Sequence, residues 1–185
     1  MWTVPSSEYS HNQGEHIVSV AFRLMFANSG TDENLIKKVL KDMSIEVVGR
    51  SELDLGFFFY KFNPDIKMDI TFIEEPDCLE RNPYNTSETM FLANDFYHNN
   101  MLSYTFFNGG DVVMQYKVML SSVMELARIS NKEALFTSNE EDAFFYKNGV
   151  FFFEKDFYHA FMDNQRPYKA ILEKYSCVEF DGKPL

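Results

Sequence analysis

The stretch AFFYKNGVFFF, from Ala143 to Phe153, constrains this chain more than any other. Two aromatic, strand-forming runs are joined by Asn148-Gly149. That pair suits a two-residue hairpin because both central residues of such a turn need positive φ, which Asn tolerates and Gly adopts freely. A chain committed to this hairpin needs further strands beside it and an apolar layer beneath it. The wording repeats earlier: FFFYKF from Phe57, a turn at Asn63-Pro64-Asp65, then IKMDITFI with Ile66, Met68, Ile70 and Phe72 in alternation. The alternation predicts a second hairpin with one face buried.

Each hairpin is preceded by a strand and a helix. The run IVSVAFRLMF, Ile17 to Phe26, has the pattern of a central strand. After Asn28-Ser29-Gly30, Thr31 is a candidate N-cap, with Asp32 and Glu33 in the first turn where the helix dipole favours negative charge. Leu35, Ile36, Val39, Leu40 and Met43 recur at helical spacing, and Lys37, Lys38 and Lys41 take the outer face. In the second half, strand MLSYTFF starts at Met101, Asn108-Gly109-Gly110 turns, and Asp111 opens a helix. Val112, Val113, Tyr116, Met119, Leu120, Val123, Met124 and Ala127 give that helix a wide apolar face, the most buried in the chain.

The expected fold is therefore α+β: two strand-helix-hairpin halves, about residues 16–80 and 98–180, with helices packed on a mainly antiparallel sheet behind a loose arm at 1–15. Val20, Phe22, Leu24, Leu40, Phe72, Met119, Leu120 and Phe152 are the expected interior. A second echo, Asp95-Phe96-Tyr97-His98 against Asp156-Phe157-Tyr158-His159, runs at a different offset from the hairpin echo. One duplication cannot produce both, so the repeat is one of architecture. Between the halves, Glu74 to Tyr84 reads as a loop, and Thr86 as the cap of a short helix over Ser87 to Phe96. A strand near Ala134 to Thr137 leads through Glu140-Glu141-Asp142, read as a loop. Helices over Glu154 to Met162 and Pro167 to Tyr175, a short edge strand over Cys177 to Phe180, and a frayed end complete the reading.

This order of elements is similar to an uncharacterised bacterial α+β domain family, a domain of unknown function. The likeness rests on ITFIEEPD, on His98 before LSYTFF, and on a long helix followed by DAFFYKNGVFFFEKDF. It covers roughly Ile17 to Met162. It implies the fold and brings no established activity.

Composition narrows the function classes. Phe 20, Tyr 10 and Met 10 in 185 residues supply a large interior that needs no disulfide staples, so Cys78 and Cys177 are read as reduced thiols. The first residues lack a basic region followed by an apolar run, and no stretch is long and apolar enough to cross a bilayer, so the cytoplasm is the expected compartment and a membrane is not an expected partner. The 28 acidic against 17 basic residues, net −11, repel phosphate backbones and disfavour nucleic acid.

Each candidate site also has a plainer structural explanation. His11, Glu15 and His16 have metal-ligand chemistry without metal-ligand spacing, and a solvated arm explains them. His98 and His159, each after Phe-Tyr, are candidate acid–base groups for a cleft between the halves. No Ser or Cys lies in a nucleophile context beside them, and an acidic neighbourhood disfavours a Cys78 thiolate. Glu74, Glu75, Asp77 and Glu80 lack the glycine and the ligand alternation of a calcium loop. Asn108-Gly109-Gly110-Asp111 places a carboxylate where a phosphate loop needs amides. No cofactor or metal is expected. The leading expectation is a non-enzymatic module of inhibitor or immunity type, in which Glu74, Glu75, Asp77, Glu80, Glu140, Glu141 and Asp142 contact a basic protein partner. The alternative is a small enzyme or ligand-binding domain using the cleft.

Overall fold

The computed structural model describes residues 20–27, 33–43, 47–53, 57–62, 66–74, 86–139, 141–163 and 167–185. Residues 20, 21, 33, 47–53, 57–62, 73 and 74 are described by their backbone alone. In chain order the elements are β1 (Val20–Phe26), α1 (Glu33–Asp42), β2 (Val47–Leu53), β3 (Phe57–Phe62), β4 (Met68–Glu74), β5 (Thr86–Ser87) and β6 (Phe96–Tyr97). Then come β7 (Asn100–Phe106), α2 (Val112–Ser130), β8 (Ala134–Ser138), β9 (Glu141–Lys147), β10 (Val150–Phe153), α3 (Lys155–Met162), α4 (Lys169–Leu172) and β11 (Ser176–Glu179).

Nine strands form one sheet in the order β11-β10-β9-β8-β1-β7-β4-β3-β2, so the apolar run at the start of the described chain occupies the middle position. Every described pairing in it is antiparallel except β10 with β11. The fold is α+β. Strand, helix and three-strand meander occur in that order twice, but the meanders enter the sheet in opposite senses. From β1 the chain crosses to the far edge and returns inward to β4 beside β7; from β7 it crosses to β8 beside β1 and runs outward. The two central strands thereby interlock the halves.

One face of the sheet carries all four helices. Phe22, Leu24 and Phe26 of β1 alternate onto it, with Leu102, Tyr104 and Phe106, and join Ile36, Val39 and Leu40 of α1, the buried face of α2, Phe161 of α3, and Ile171 and Leu172 of α4. Tyr104 Oη and Ser122 Oγ share a buried hydrogen bond of 3.0 Å, which satisfies the two polar atoms and fixes α2 over β7. The opposite face holds a smaller cluster of Met25, Phe91, Phe96, Leu135, Phe145 and Phe180.

Of the expected interior, Phe22, Leu24, Leu40, Phe72, Met119 and Leu120 are buried. Phe152 is partly buried on the second face, and the side chain of Val20 lies outside the description. The Asn148-Gly149 hairpin forms with φ of 51° and 84°, and Lys147 pairs with Val150 across it. Asp111 caps α2 by accepting the Met114 N–H at 3.1 Å. The expected Thr31 cap and the Asn63-Pro64-Asp65 turn lie outside the described residues.

Four expectations need correction. Residues 87–96 are not a helix: Thr86–Ser87 pair with Phe96–Tyr97 as a small second sheet, because burying Phe91 and Phe96 against the large sheet outweighs a weak helical pattern. Glu141 and Asp142 are not in a loop but open β9, where a bulge between Phe136 and Thr137 shifts the register. β2 was not expected at all; it is an edge strand with Gly49, Arg50, Ser51 and Glu52, the polar composition that guards a free edge. At the C-terminus, Leu185 N–H donates to Phe91 O at 2.9 Å, so the expected frayed end is held.

The entrance to α2 is tightly packed. Gln115, 1 % exposed, donates from Nε2 to the carbonyls of Ile66 and Lys67 at 2.8 Å each and of Phe107 at 3.3 Å, tying the turn before β4 to the end of β7. A Cβ at Gly110 would stand 2.5 Å from that Nε2 and 2.6 Å from Ile66 O. Gly110→Ala is therefore expected to cost about 2 kcal/mol by displacing the amide or the turn. Urea titration checks this, and an unchanged midpoint would remove the clamp from the account.

Candidate functional site

The segment from Thr86 to His98 leaves the helical face alone and lies across the second face of the sheet. Phe91 and Phe96 are its anchors. Their rings stand 6.0 and 5.5 Å from Phe145, and Phe91 meets Phe180 edge-on at 4.9 Å. Asp142, on β9, fixes the segment by polar contacts, accepting Thr89 Oγ1–H and Met90 N–H at 2.7 Å each. Two charge-assisted bonds of this length hold one turn of the segment to the sheet. What the segment presents outward is mixed: the carboxylates of Glu88 and Asp95 are exposed, with Met90 at 48 % and Tyr97 at 52 %.

The sequence-predicted site residues separate into three groups. Glu75, Asp77, Glu80 and Glu140 lie outside the described residues, and Glu74 ends β4 opposite Asn100 with only its backbone described. Glu141 is exposed at the start of β9, whereas Asp142 is half-buried and committed to Thr89 and Met90. His98 and His159 are not brought together. His98 is buried and stacks on Phe96 at 6.4 Å, on the second face. His159 projects from α3 on the helical face, 60 % exposed, with Nε2 at 3.2 Å from Glu179.

The titrations follow from these surroundings. Burial lowers His98 from an ordinary imidazole value of 6.5 to about 4. Burial likewise pushes the Cys177 thiol up to about 12, with Sγ 3.5 Å from Leu172 O, so this half-buried cysteine stays a thiol. Glu125 is held below the ordinary carboxylate range, first by its hydrogen bonds from Arg128 and then by their Coulomb attraction, and it also accepts Tyr175 Oη–H at 3.1 Å. Burial next to that carboxylate raises the Tyr175 phenol. This trio ties α2 to the turn after α4 and is a structural brace. Among the described residues no three of His, Cys, Asp and Glu gather as a metal site, and no helix is long and apolar enough to cross a membrane.

Two features escaped the sequence reading. Carboxylates beside exposed aromatics between Arg81 and His98 are legible in the sequence, but which residues face outward, Glu88, Met90, Asp95 and Tyr97, was hidden by the helix expected there; the signal for it was the pair of strand-like ends, Thr86-Ser87 and Phe96-Tyr97, around the turn residues Asn94-Asp95. The other is Arg23, the single charge within the apolar run of β1. Comparison of the chain with protein-family models, curated proteins and solved structures found no match in any of the three.

Proposed function

We propose that this chain is a non-enzymatic binding module, of inhibitor or immunity type, that covers a basic surface on a protein partner. The observation that carries the reading is the Thr86 to His98 segment. It shows a Tyr and a Met beside carboxylates on a part of the chain hydrogen-bonded to the sheet through Asp142. Tyr and Met are enriched at protein interfaces, where they supply contact area, and carboxylates around them steer a cationic partner. The net charge of −11 extends that field over the molecule. Glu74, Glu75, Asp77 and Glu80, which precede the segment in the sequence, and Glu140 and Glu141, which precede Asp142, are the further carboxylates proposed to contact the partner. Asp142 has a different part, holding the segment in place.

The test is the association rate of a partner captured on the immobilised chain. Raising salt from about 0.05 to 0.5 M contracts the Debye length to a few ångströms, so association is expected to slow by about tenfold or more while dissociation changes less. Glu88→Lys with Asp95→Lys, and separately Glu74→Lys with Glu75→Lys and Asp77→Lys, are expected to slow association similarly at low salt with the melting temperature nearly unchanged. His98→Ala and His159→Ala change the surface charge little and should leave the rate near its original value. An association indifferent to salt and to both reversals would overturn the proposal.

A further inference from the structure

Arg23 lies on the middle strand of the sheet, on the face opposite the helices. Its neighbours Phe22 and Leu24 turn to the helical face, and Met25, two residues on, is buried beneath the Thr86 to His98 segment. Arg23 is thus the first side chain of β1 beyond the edge of that cover, and it is half-buried. Directly opposite it stand Ser103 on β7 and Thr137 on β8, and Thr71 on β4 stands opposite Ser103. Residues paired across strands share a face, and neighbouring strands are about 4.8 Å apart, so Arg23 springs from the sheet between two hydroxyl-bearing residues with a third beyond.

The row carries one carboxylate, Asp142 opposite Thr137, and both its contacts go to Thr89 and Met90. Asp69, on β4 one step further along, has a partner of its own. Among the described residues Arg23 makes no ion pair, whereas Arg128, Lys147, Lys169 and Lys183 each have a carboxylate within 4.0 Å. In a chain with 28 acidic and 17 basic residues, a half-buried cation on the sheet's second face thus stands without an ion pair among the described residues. A guanidinium offers five N–H donors in a planar fork matched to two oxygens of one anion, and flanking hydroxyls can donate to the same group.

We infer that Arg23, Ser103 and Thr137 form a binding site for the oxyanion group of a small molecule, a carboxylate or a phosphate. The site is separate from the protein-contacting segment and does not depend on it. The test is amide NMR of the full chain titrated through the millimolar range with sodium phosphate and, separately, with sodium succinate, each at matched sodium chloride. Saturable shifts are expected at residues 22–24, 102–104 and 136–138. Arg23→Gln should abolish them, and Arg23→Lys, which keeps the charge and loses the fork, should weaken binding by about tenfold. Lys132→Gln, on an exposed turn, should leave binding unchanged. Response to phosphate alone identifies a phosphorylated ligand, response to succinate alone a carboxylate ligand, and response to both a site that reads the shared geometry. No saturable shift with either anion, or shifts that persist in Arg23→Lys at full affinity and in Arg23→Gln, would overturn the assignment.

Discussion

Val123→Asp is expected to destabilise the domain by about 4 kcal/mol or more, enough to leave much of the chain unfolded at ambient temperature. Val123 is 0 % exposed on α2, between the equally buried Met119, Leu120, Met124 and Ala127. A carboxylate there has no cation within its own helical face, so it either remains charged without a partner or folds only when protonated, and both cost stability. Val113→Asp makes the same chemical change on the same helix at a site 42 % exposed in the first turn, where the dipole favours negative charge. That variant should stay within about 0.5 kcal/mol of the parent. Urea unfolding of the two side by side checks the assignment: comparable midpoints would mean that α2 is not the buried spine of the molecule.

The contrast between these two valines also marks how far the sequence could be read. Periodicity placed Val112, Val113 and Val123 on one apolar face, and it is correct from Tyr116 onward. It could not show that the first turn of α2 is left uncovered, with Val112, Val113 and Met114 exposed. The hairpins were legible because turn chemistry and alternation agree at Asn148-Gly149 and along Met68, Ile70 and Phe72. β2 was not, since an edge strand needs little apolar surface and Gly49, Arg50 and Ser51 read as connection. The segment from Thr86 to His98 was misread for the opposite reason. Its conformation is set by contacts distant in sequence, Phe91 and Phe96 on Phe145 and Thr89 on Asp142. The same distance hid the part of Asp142, whose charge was legible and whose intramolecular partners were not.

His98 supplies the second large effect, this time through pH. Its imidazole is 7 % exposed, and burial holds its pKa near 4 in the folded chain against 6.5 when solvated. Because the folded value is the lower one, the unfolded chain takes up the proton first as pH falls. Stability from the neutral, buried ring is therefore complete above about pH 6.5 and declines as pH drops towards 4. The shift corresponds to a loss on the order of 3 kcal/mol across that window. Glu125, whose carboxyl is held below its ordinary range by the hydrogen bonds from Arg128, is common to all variants. His98→Leu removes the imidazole while keeping an apolar body against Phe96. Its unfolding free energy should consequently fall less steeply than the parent's between pH 7 and 4, the two curves converging as acidity rises. His159→Leu, which removes an exposed imidazole paired with Glu179, should not reproduce that convergence. Parallel curves for the parent and His98→Leu, measured by urea unfolding at half-unit pH steps, would show that His98 is hydrated in the folded state and that the second-face cluster does not close over it.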